Sequence, residues 1–430
     1  MSNHVCTNPL EHRLSRRRML GALGMSASAG ALGLGSLIHP AIAEEMKRRE
    51  KQVIFIWLDG GMSQLESWDP KPNTEFGVPF RTISTSVPGI QVSELLPLTA
   101  NQMHHLAIVR SVCTKDNSHS AGVPRVLRGD PKNRGVVYPY LGSAVARLLG
   151  PCESGLPPYV WIKPGNGGFK ADHAGFLGAK YGALAFGDGK PPPNLLLPES
   201  VTAEANEARN ALRKKLNARY VDRRRGQHAE ASNHVFDVAD KLMRNMDLFD
   251  ESKLDPRDVA RYGAHDLGRH LLLARRMIEA GVRFVQVTSY YWDSHGDHFN
   301  ACESLIPQFD RPFAALIADL HDRGMLDNVL VIAMSEFGRT PKINSHVGRD
   351  HWPQAWSVAM AGCGLQRGTV VGRTNPNGTF VDGTPHDVGH LFHTWFRALG
   401  LASEQMEYHH NGQPLPAANE DTSAIEALLA

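Results

Sequence analysis

The sequence predicts an α/β protein of three layers, in which helices cover both faces of a doubly wound, mostly parallel sheet. Apolar runs rich in Val and Ile show little alternation with polar residues, as expected for strands that are buried on both faces. Helical patterns lie between these runs, and such alternation is characteristic of doubly wound folds. Three of the runs end in clusters of acidic residues and histidines. Ligands bind at the carboxyl ends of strands in such sheets, so these clusters indicate where the functional site lies.

Six strands and six helices account for most of the predicted regular structure. The strands cover residues 53–58, 106–112, 159–163, 282–290, 328–335 and 357–361. The helices cover residues 138–149, 203–225, 229–247, 264–280, 309–323 and 386–399. Phe313, Leu316 and Leu320 lie on one stripe of the helix at 309–323, which makes this helix amphipathic.

Residues 44–430 are expected to form one α/β domain with a helical insertion at about residues 190–265. The inserted segment is charged and poor in β-branched residues, and it follows a loop with three consecutive prolines at 191–193. The length of the chain also allows two domains, although large α/β enzymes often use one. We expect the insertion to cover one edge of the sheet.

Residues 1–43 have the pattern of a twin-arginine signal peptide. Three arginines at 16–18 precede an uncharged stretch at 21–37, and the small residues Ala41 and Ala43 fit a cleavage site. The apolar stretch is too short and too rich in glycine for a spanning helix, so no stable transmembrane segment is expected. Export by the twin-arginine translocase and cleavage after Ala43 predict a periplasmic or secreted protein; the alternative is an uncleaved membrane anchor.

Charge and cysteine content exclude several functional classes. Removal of residues 1–43 takes away four arginines and one glutamate, which changes the net charge from +2 to −1. No basic stripe remains to bind nucleic acid or anionic lipid. Cys113, Cys152, Cys302 and Cys363 are not spaced as CxxC, which argues against attached haem, iron–sulfur clusters and a thioredoxin-type site. Most of them are expected to be buried thiols, although one or two disulfides stay open.

The first apolar run ends in a single carboxylate, Asp59. Asp59 follows six apolar residues and precedes Gly60 and Gly61, which permit a tight turn and a close approach of a ligand to the backbone. The alternative is an aspartate that caps the next helix. The acidic residues and histidines at the ends of other strands favour the interpretation of Asp59 as a metal ligand.

The later clusters add the imidazole and carboxylate donors that a zinc site uses. Asp293 and His295 are two residues apart, so an extended segment would direct both to one ion. Glu336 follows the strand at 328–335, and His351 lies in a polar loop beyond it. Arg339 is expected to clamp a tetrahedral oxyanion, with an ion pair to Glu336 as the alternative. We therefore predict one or two divalent metal ions, most simply zinc, held by Asp59, Asp293, His295, Glu336 and His351.

The order of these clusters resembles that of the alkaline phosphatase and sulfatase superfamily. The tail from Thr384 to Gly400 is similar to the C-terminal helix of sulfatases and of cofactor-independent phosphoglycerate mutases. More narrowly, the leader and the motifs WLDGGMSQLESWDPKP, LLLARRMIEAGVRFVQV, WDSHGDHF and SEFGRTP resemble an exported family within this superfamily, the domain-of-unknown-function family numbered 1501. The match covers nearly all of the mature chain and implies an alkaline-phosphatase-like fold.

The resemblance also implies a nucleophile at a helix N-terminus, where backbone N–H groups favour an anion. The segment 116–129 is similar to the sulfatase segment in this region and places His119 at the nucleophile position, between Ser118 and Ser120. Either a flanking serine attacks, or His119 is a ligand and a water molecule attacks. Phe337 stands where related enzymes have a histidine, which weakens one of the two metal sites.

The function expected from these features is hydrolysis of phosphate or sulfate esters by an exported, metal-dependent enzyme. A Cys/Ser-x-Pro-x-Arg motif, which sulfatases need for their formylglycine, is missing, and this favours a phosphatase or phosphodiesterase. The substrate would be a small-molecule, glycan or lipid ester. The alternative is a binding or surface-associated protein whose catalytic site has decayed.

Overall fold

The computed structural model describes residues 50–129, 132–151, 154–163, 173–190, 195, 197–224 and 227–429. The predicted signal peptide, residues 1–43, lies outside the described residues, as does Cys152. Among the helices that are described, none combines the length and the apolar character needed to cross a membrane. Cys113, Cys302 and Cys363 are free thiols, and the last two are buried.

The described residues form fourteen strands and nine α-helices. The strands are β1 Gln52–Leu58, β2 Thr82–Ser84, β3 Gln91–Ser93, β4 Leu106–Val112, β5 Tyr159–Ile162, β6 Leu184–Ala185, β7 Phe284–Ser289, β8 Val329–Met334, β9 Gly338–Arg339, β10 His351–Trp352, β11 Trp356–Ala361, β12 Thr369–Val371, β13 Glu407–His410 and β14 Gln413–Pro416. The helices are α1 Pro97–Asn101, α2 His119–Arg128, α3 Leu141–Leu148, α4 Ala203–Arg224, α5 Gln227–Arg244, α6 Pro256–Tyr262, α7 Asp266–Glu279, α8 His298–Asp322 and α9 Val388–Ala398.

The central sheet has eight strands in the order β12-β4-β11-β8-β1-β7-β5-β6. β1 lies between β7 and β8 and is parallel to both, with Leu58 opposite Ser289 and Trp57 opposite Met334. Only β11 runs in the opposite direction to the other seven strands of this sheet. The predicted mostly parallel sheet is thus confirmed.

The two faces of the sheet are covered by separate helical layers. Val53, Phe55 and Trp57 alternate along β1 with Ile54 and Ile56, and the two sets belong to different buried clusters. The first cluster contains apolar residues of α2, α3 and α9, and the second contains those of α1, α7 and α8. This alternation produces the three layers predicted from the sequence.

All six predicted strands and all six predicted helices are present, and the largest difference in bounds is at α8. This helix begins at His298, eleven residues before the predicted start at 309. Pro307, which would normally end a helix, lies inside it. The range expected to hold the helical insertion contains α4, α5 and α6. The helix α2, which has Pro124 in its interior, is not among the six helices predicted from the pattern, although the family resemblance implied a helix N-terminus near His119.

Candidate metal and catalytic site

One edge of the central sheet gathers the strand-end clusters. The carboxyl ends of β1, β7 and β8 lie side by side there, since these strands are parallel neighbours. Because β11 runs in the opposite direction, the segment before it arrives at the same edge. The residues placed there are Asp59 after β1, His119 at the start of α2, Asp293 and His295 after β7, Glu336 after β8, and His351 in β10.

Three of the predicted ligands bring their donor atoms into a triangle. His351 Nε2 lies 3.0 Å from Asp293 Oδ1. His295 Nε2 lies 3.1 Å from the same oxygen and 3.0 Å from His351 Nε2. The side chains of His295 and Asp293 are 46% and 41% exposed, so an ion can reach the triangle from solvent.

Hydrogen bonds on the far side of each imidazole determine where its proton lies. His295 Nδ1 is 2.7 Å from Asp350 Oδ1, and His351 Nδ1 is 2.7 Å from the carbonyl oxygen of Asn117. Carbonyls and ionised carboxylates only accept hydrogen bonds, so both Nδ1 atoms carry the proton. With Nδ1 protonated, each imidazole can offer its Nε2 lone pair to a metal ion beside the Asp293 carboxylate; when Nε2 of His351 is protonated as well, it donates to Asp293 instead. The convergence of these three donors makes the triangle a candidate site for a metal cation.

The donor set fits a divalent metal of the zinc type. Ligand atoms at about 2.0–2.1 Å from a tetrahedral ion are separated from each other by about 3.3–3.4 Å. The edges of 3.0–3.1 Å in the triangle agree with this to a few tenths of an ångström. Imidazole nitrogen and carboxylate oxygen are donors that zinc prefers, and Asp350 and the Asn117 carbonyl orient the imidazoles as outer partners of metal ligands do.

His119 connects this triangle to Glu336. Its Nδ1 is 2.7 Å from Glu336 Oε1, and its Nε2 is 3.2 Å from Asp293 Oδ2. Hydrogen bonds to Asp293 and Glu336 raise the pKa of His119 to about 9, although burial acts in the opposite direction. His119, Asp293 and His351 also form a group whose donor atoms all lie within 4.8 Å of one another. Glu336 is fully buried and acts on the site through His119.

Arg339 is a buried residue that anchors the backbone segments around the site. Its guanidinium is fully buried and donates to the carbonyl oxygens of Gly60, Gly61 and Arg349, and to Asp293 Oδ1 at 2.5 Å. These contacts make Arg339 a positioning residue, in contrast to the oxyanion clamp expected from the sequence. Its ion pair is with Asp293, and the sequence had offered Glu336 as the alternative partner.

The carboxylate of Asp293 is ionised over the whole physiological range. Burial opposes its ionisation, but hydrogen bonds from His119, His351 and Arg339 and the charge of Arg339 outweigh that effect and hold the pKa of Asp293 well below its usual range. The lone pairs of the triangle are therefore matched by a permanent negative charge, which favours a bound cation.

The two glycines after Asp59 allow the first strand to approach Asp293. Gly60 has a φ of +120°, and a β-carbon there would lie 2.4 Å from the backbone nitrogen of Asp293. The N–H of Gly60 donates to Glu336 Oε1 at 3.1 Å. The sequence predicted that a ligand would approach the backbone at this turn. In the structure it is the neighbouring segment at Asp293 that approaches it.

Asp59 lies on the wall of a pocket of about 490 Å³ that also includes Gly60, His119, Tyr290, Tyr291 and Asp293. Its Oδ1 accepts a hydrogen bond of 2.8 Å from the indole of Trp57. Asp59 is therefore placed beside the triangle, facing the same pocket, and is not a corner of it.

The serines beside His119 are not part of the pocket wall. Ser118 and Ser120 are exposed, lie 3.3 Å apart at their hydroxyl oxygens, and are not among the residues that line the pocket. Of the three candidates for the nucleophile position, the structure directs only His119 into the site.

Phe337 fills space between two of the histidines. Its ring stacks on His351 with centroids 4.2 Å apart, and it lies 5.2 Å from the ring of His119. The side chain is fully buried. It therefore packs behind the triangle and supplies no donor to a second ion.

A buried ionic cluster, which sequence reasoning missed, anchors the loop that bears His351. Arg349 Nη2 is 2.8 Å from Glu66 Oε1, and neither side chain has any exposure. His298 is buried there with its Nε2 3.1 Å from Glu66 Oε2. Burial disfavours the ionised Glu66, but the charge of Arg349 and the hydrogen bond with His298 prevail and lower the pKa of Glu66 to about 2.

Asp350 is the other functional residue that sequence reasoning did not assign. It follows Arg349 and precedes His351, and acidic residues next to a metal-binding histidine are a usable signal for an orienting partner. The contribution of Asn117 is a backbone carbonyl, which no sequence pattern could have indicated.

The fold and the site define a three-layer α/β protein with a carboxylate and histidine site at the carboxyl edge of its parallel sheet. The chain belongs to the family described as "Protein of unknown function (DUF1501)", whose model matches residues 50–429. A comparison with curated proteins finds no match.

Solved structures similar to this chain include three proteins with named activities. The lipoteichoic acid synthase LtaP from Listeria monocytogenes shares 9% identity over 89% of this chain and 78% of its own, with a TM-score of 0.39. The alkaline phosphatase from the Antarctic bacterium TAB5 shares 11% identity over 76% and 96%, with a TM-score of 0.32. The PsFucS1 sulfatase from Pseudoalteromonas sp. shares 13% identity over 91% and 76%, with a TM-score of 0.32.

Proposed function

We propose that the protein is an exported, metal-dependent hydrolase of phosphate or sulfate esters. The observation that supports this most directly is the convergence of lone pairs from Asp293, His295 and His351, two of which are fixed by outer hydrogen bonds. A divalent cation would fit between these three donors, and an open pocket lies beside them. A metal site next to an open pocket is typical of metal-dependent hydrolases.

Asp293, His295 and His351 are the residues that would hold the ion, with zinc as the proposed metal. A divalent ion supplies Lewis-acid polarisation of the ester and activation of a water molecule. Arg339 fixes the Asp293 carboxylate, while Asp350 and the Asn117 carbonyl fix the two imidazoles.

His119, Asp59 and Glu336 form the second half of the proposed site. They would contribute the donors for a second ion, but Phe337 removes the histidine that would complete it. We propose that one ion at the triangle is sufficient. His119 lines the pocket while the flanking serines do not, which favours attack by water over attack by a serine.

Phosphate esters are the favoured substrates within this proposal, because the sulfatase motif is absent from the chain. The twin-arginine pattern in residues 1–43 supports export of the proposed enzyme to the periplasm or out of the cell. The competing function, a decayed binding protein on the same fold, predicts a stable chain without bound metal.

Metal analysis combined with ester assays tests the proposal. Purified protein should contain about one zinc or similar ion per chain and should hydrolyse p-nitrophenyl phosphate, bis-p-nitrophenyl phosphate or p-nitrophenyl sulfate. Asp293→Ala and His351→Ala should lose both metal and turnover, while Ser118→Ala and Ser120→Ala should keep both. A well-folded wild type that is metal-free and inert after incubation with zinc would support the decayed protein instead.

A further inference from the structure

Tyr291 combines three features that internal packing does not explain. Its side chain is 82% exposed. Its φ of 77° lies in the left-handed region, which favours glycine and is unfavourable for a bulky side chain. It also lines the same pocket as Asp59 and Asp293. A ring this exposed gains little packing energy to offset the backbone strain. Contact with a ligand would explain why the strained conformation is kept.

The backbone on both sides of Tyr291 is firmly anchored. The hydroxyl of Tyr290 donates to the carbonyl oxygen of Lys163 at 2.9 Å. The N–H of Trp292 is 3.3 Å from the carbonyl oxygen of Asp59, and its buried ring meets the edge of Phe309. The ring of Tyr291 is thus presented at the mouth of the pocket from a fixed base, which reduces the entropy lost on binding.

We propose that Tyr291, supported by Tyr290, is a platform for a six-membered ring in the group esterified to the anion. The two rings lie 6.5 Å apart at 67° and form an angled wall beside the site. Aromatic faces bind the flat faces of aryl groups and the apolar faces of sugars. This inference rests on the proposed function and adds a substrate class to it, namely esters of sugars or of aromatic alcohols.

Binding of non-hydrolysed ligands to the zinc-loaded full chain tests the platform without relying on turnover. Calorimetry would compare phenylphosphonate with methylphosphonate, and benzenesulfonate with methanesulfonate; 6-deoxy-6-sulfoglucose, whose carbon–sulfur bond is not an ester, would serve as the sugar ligand. Wild type should bind a ring-bearing ligand about tenfold more tightly than the methyl ligand, equivalent to about 1.4 kcal/mol. Preference for 6-deoxy-6-sulfoglucose identifies a sugar, and preference for the phenyl or benzene ligand identifies an aryl group.

Three variants separate the platform from a structural role. Tyr291→Gly should abolish most of the preference for rings, while its thermal midpoint stays equal or rises because glycine suits the left-handed backbone. Tyr291→Phe should keep the preference. Phe380→Ala, which removes an exposed aromatic ring that is 56% exposed and not among the pocket-lining residues, should leave it unchanged.

Two outcomes would overturn the inference in different ways. If ring-bearing and methyl ligands bind wild type equally, or if Tyr291→Gly keeps the preference, the platform is refuted while the ester site stands. If none of the phosphonate or sulfonate ligands binds, the proposed function itself fails and the platform fails with it.

Discussion

Replacement of Glu66 by glutamine should strongly destabilise the fold, because it leaves the guanidinium of Arg349 buried without a counter-charge. Both side chains are completely buried and their ion pair is 2.8 Å long. The shift of the Glu66 pKa from 4.5 to about 2 corresponds to about 3 kcal/mol of stabilisation of the folded protein. Removal of one member of a buried pair typically costs about 3–5 kcal/mol, which agrees with that value.

The pH dependence of the effect follows from the direction of the shift. The folded-state pKa of Glu66 lies below the unfolded value, so the stabilisation is fully present above about pH 4.5. It is lost as the pH falls from about 4.5 towards 2, where the carboxylate takes up a proton in the folded protein as well. The difference between wild type and Glu66→Gln should therefore be constant between pH 6 and 8 and shrink on acidification.

Urea unfolding followed by tryptophan fluorescence measures this difference. With a slope of about 3 kcal/mol per molar urea, a loss of about 3 kcal/mol lowers the midpoint by about 1 M. The double variant Glu66→Gln with Arg349→Met removes both charges and should recover most of the stability. A loss under about 0.5 kcal/mol for Glu66→Gln, or a difference that does not change with pH, would refute the reasoning from the buried pair.

Three further predictions concern the geometry of the site. Asp350→Asn should weaken metal binding by about 10- to 100-fold without removing a ligand, because Asp350 fixes the tautomer of His295; titration against a chelator measures this, and unchanged affinity would contradict the assignment. Gly60→Ala should cost about 3 kcal/mol in urea unfolding, because φ is +120° and the new β-carbon would meet Asp293 at 2.4 Å. Gly89→Ala, with φ of +83° and open space, is the matched control and should cost only about 1 kcal/mol. His119→Gln should abolish ester hydrolysis while about one metal ion per chain is retained, and loss of the metal would instead place His119 among its ligands.

The position of the site could be predicted from the sequence because strand ends are marked by composition. Asp59 and Glu336 each follow an apolar run, and parallel neighbours put their carboxyl ends at one edge. His351 reaches that edge because β11 is antiparallel, and nothing in the apolar run at 357–361 indicates its direction. The role of His351 as a metal ligand was inferred from the presence of the other acidic and histidine clusters and from the family resemblance.

The detailed contacts could not be predicted because one residue type serves several purposes. A guanidinium fits a substrate oxyanion and a set of backbone carbonyls equally well, and only the fold shows that Arg339 is buried beneath Gly60 and Gly61. The ionic pair of Glu66 and Arg349 joins residues 283 positions apart, and neither residue lies in a periodic pattern. The pattern alone did not indicate the helix α2, since Pro124 contradicts helical propensity and tertiary packing overrides that propensity here.

The arrangement of lone pairs bears on the choice between a working metal site and a decayed one. Two unprotonated Nε2 atoms and the carboxylate of Asp293 at 3.0–3.1 Å carry an electrostatic repulsion that either a metal ion or added protons between them remove. Asp350 and the Asn117 carbonyl nonetheless maintain the tautomers that create it. The outer hydrogen bonds that a metal site uses are therefore retained, which favours a working site over a decayed one. Phe337, in contrast, fills the second half of the site with an apolar ring that packs on His351. The metal triangle and the apolar filling of the second site together favour an enzyme that uses one ion over a protein that has lost metal-dependent activity.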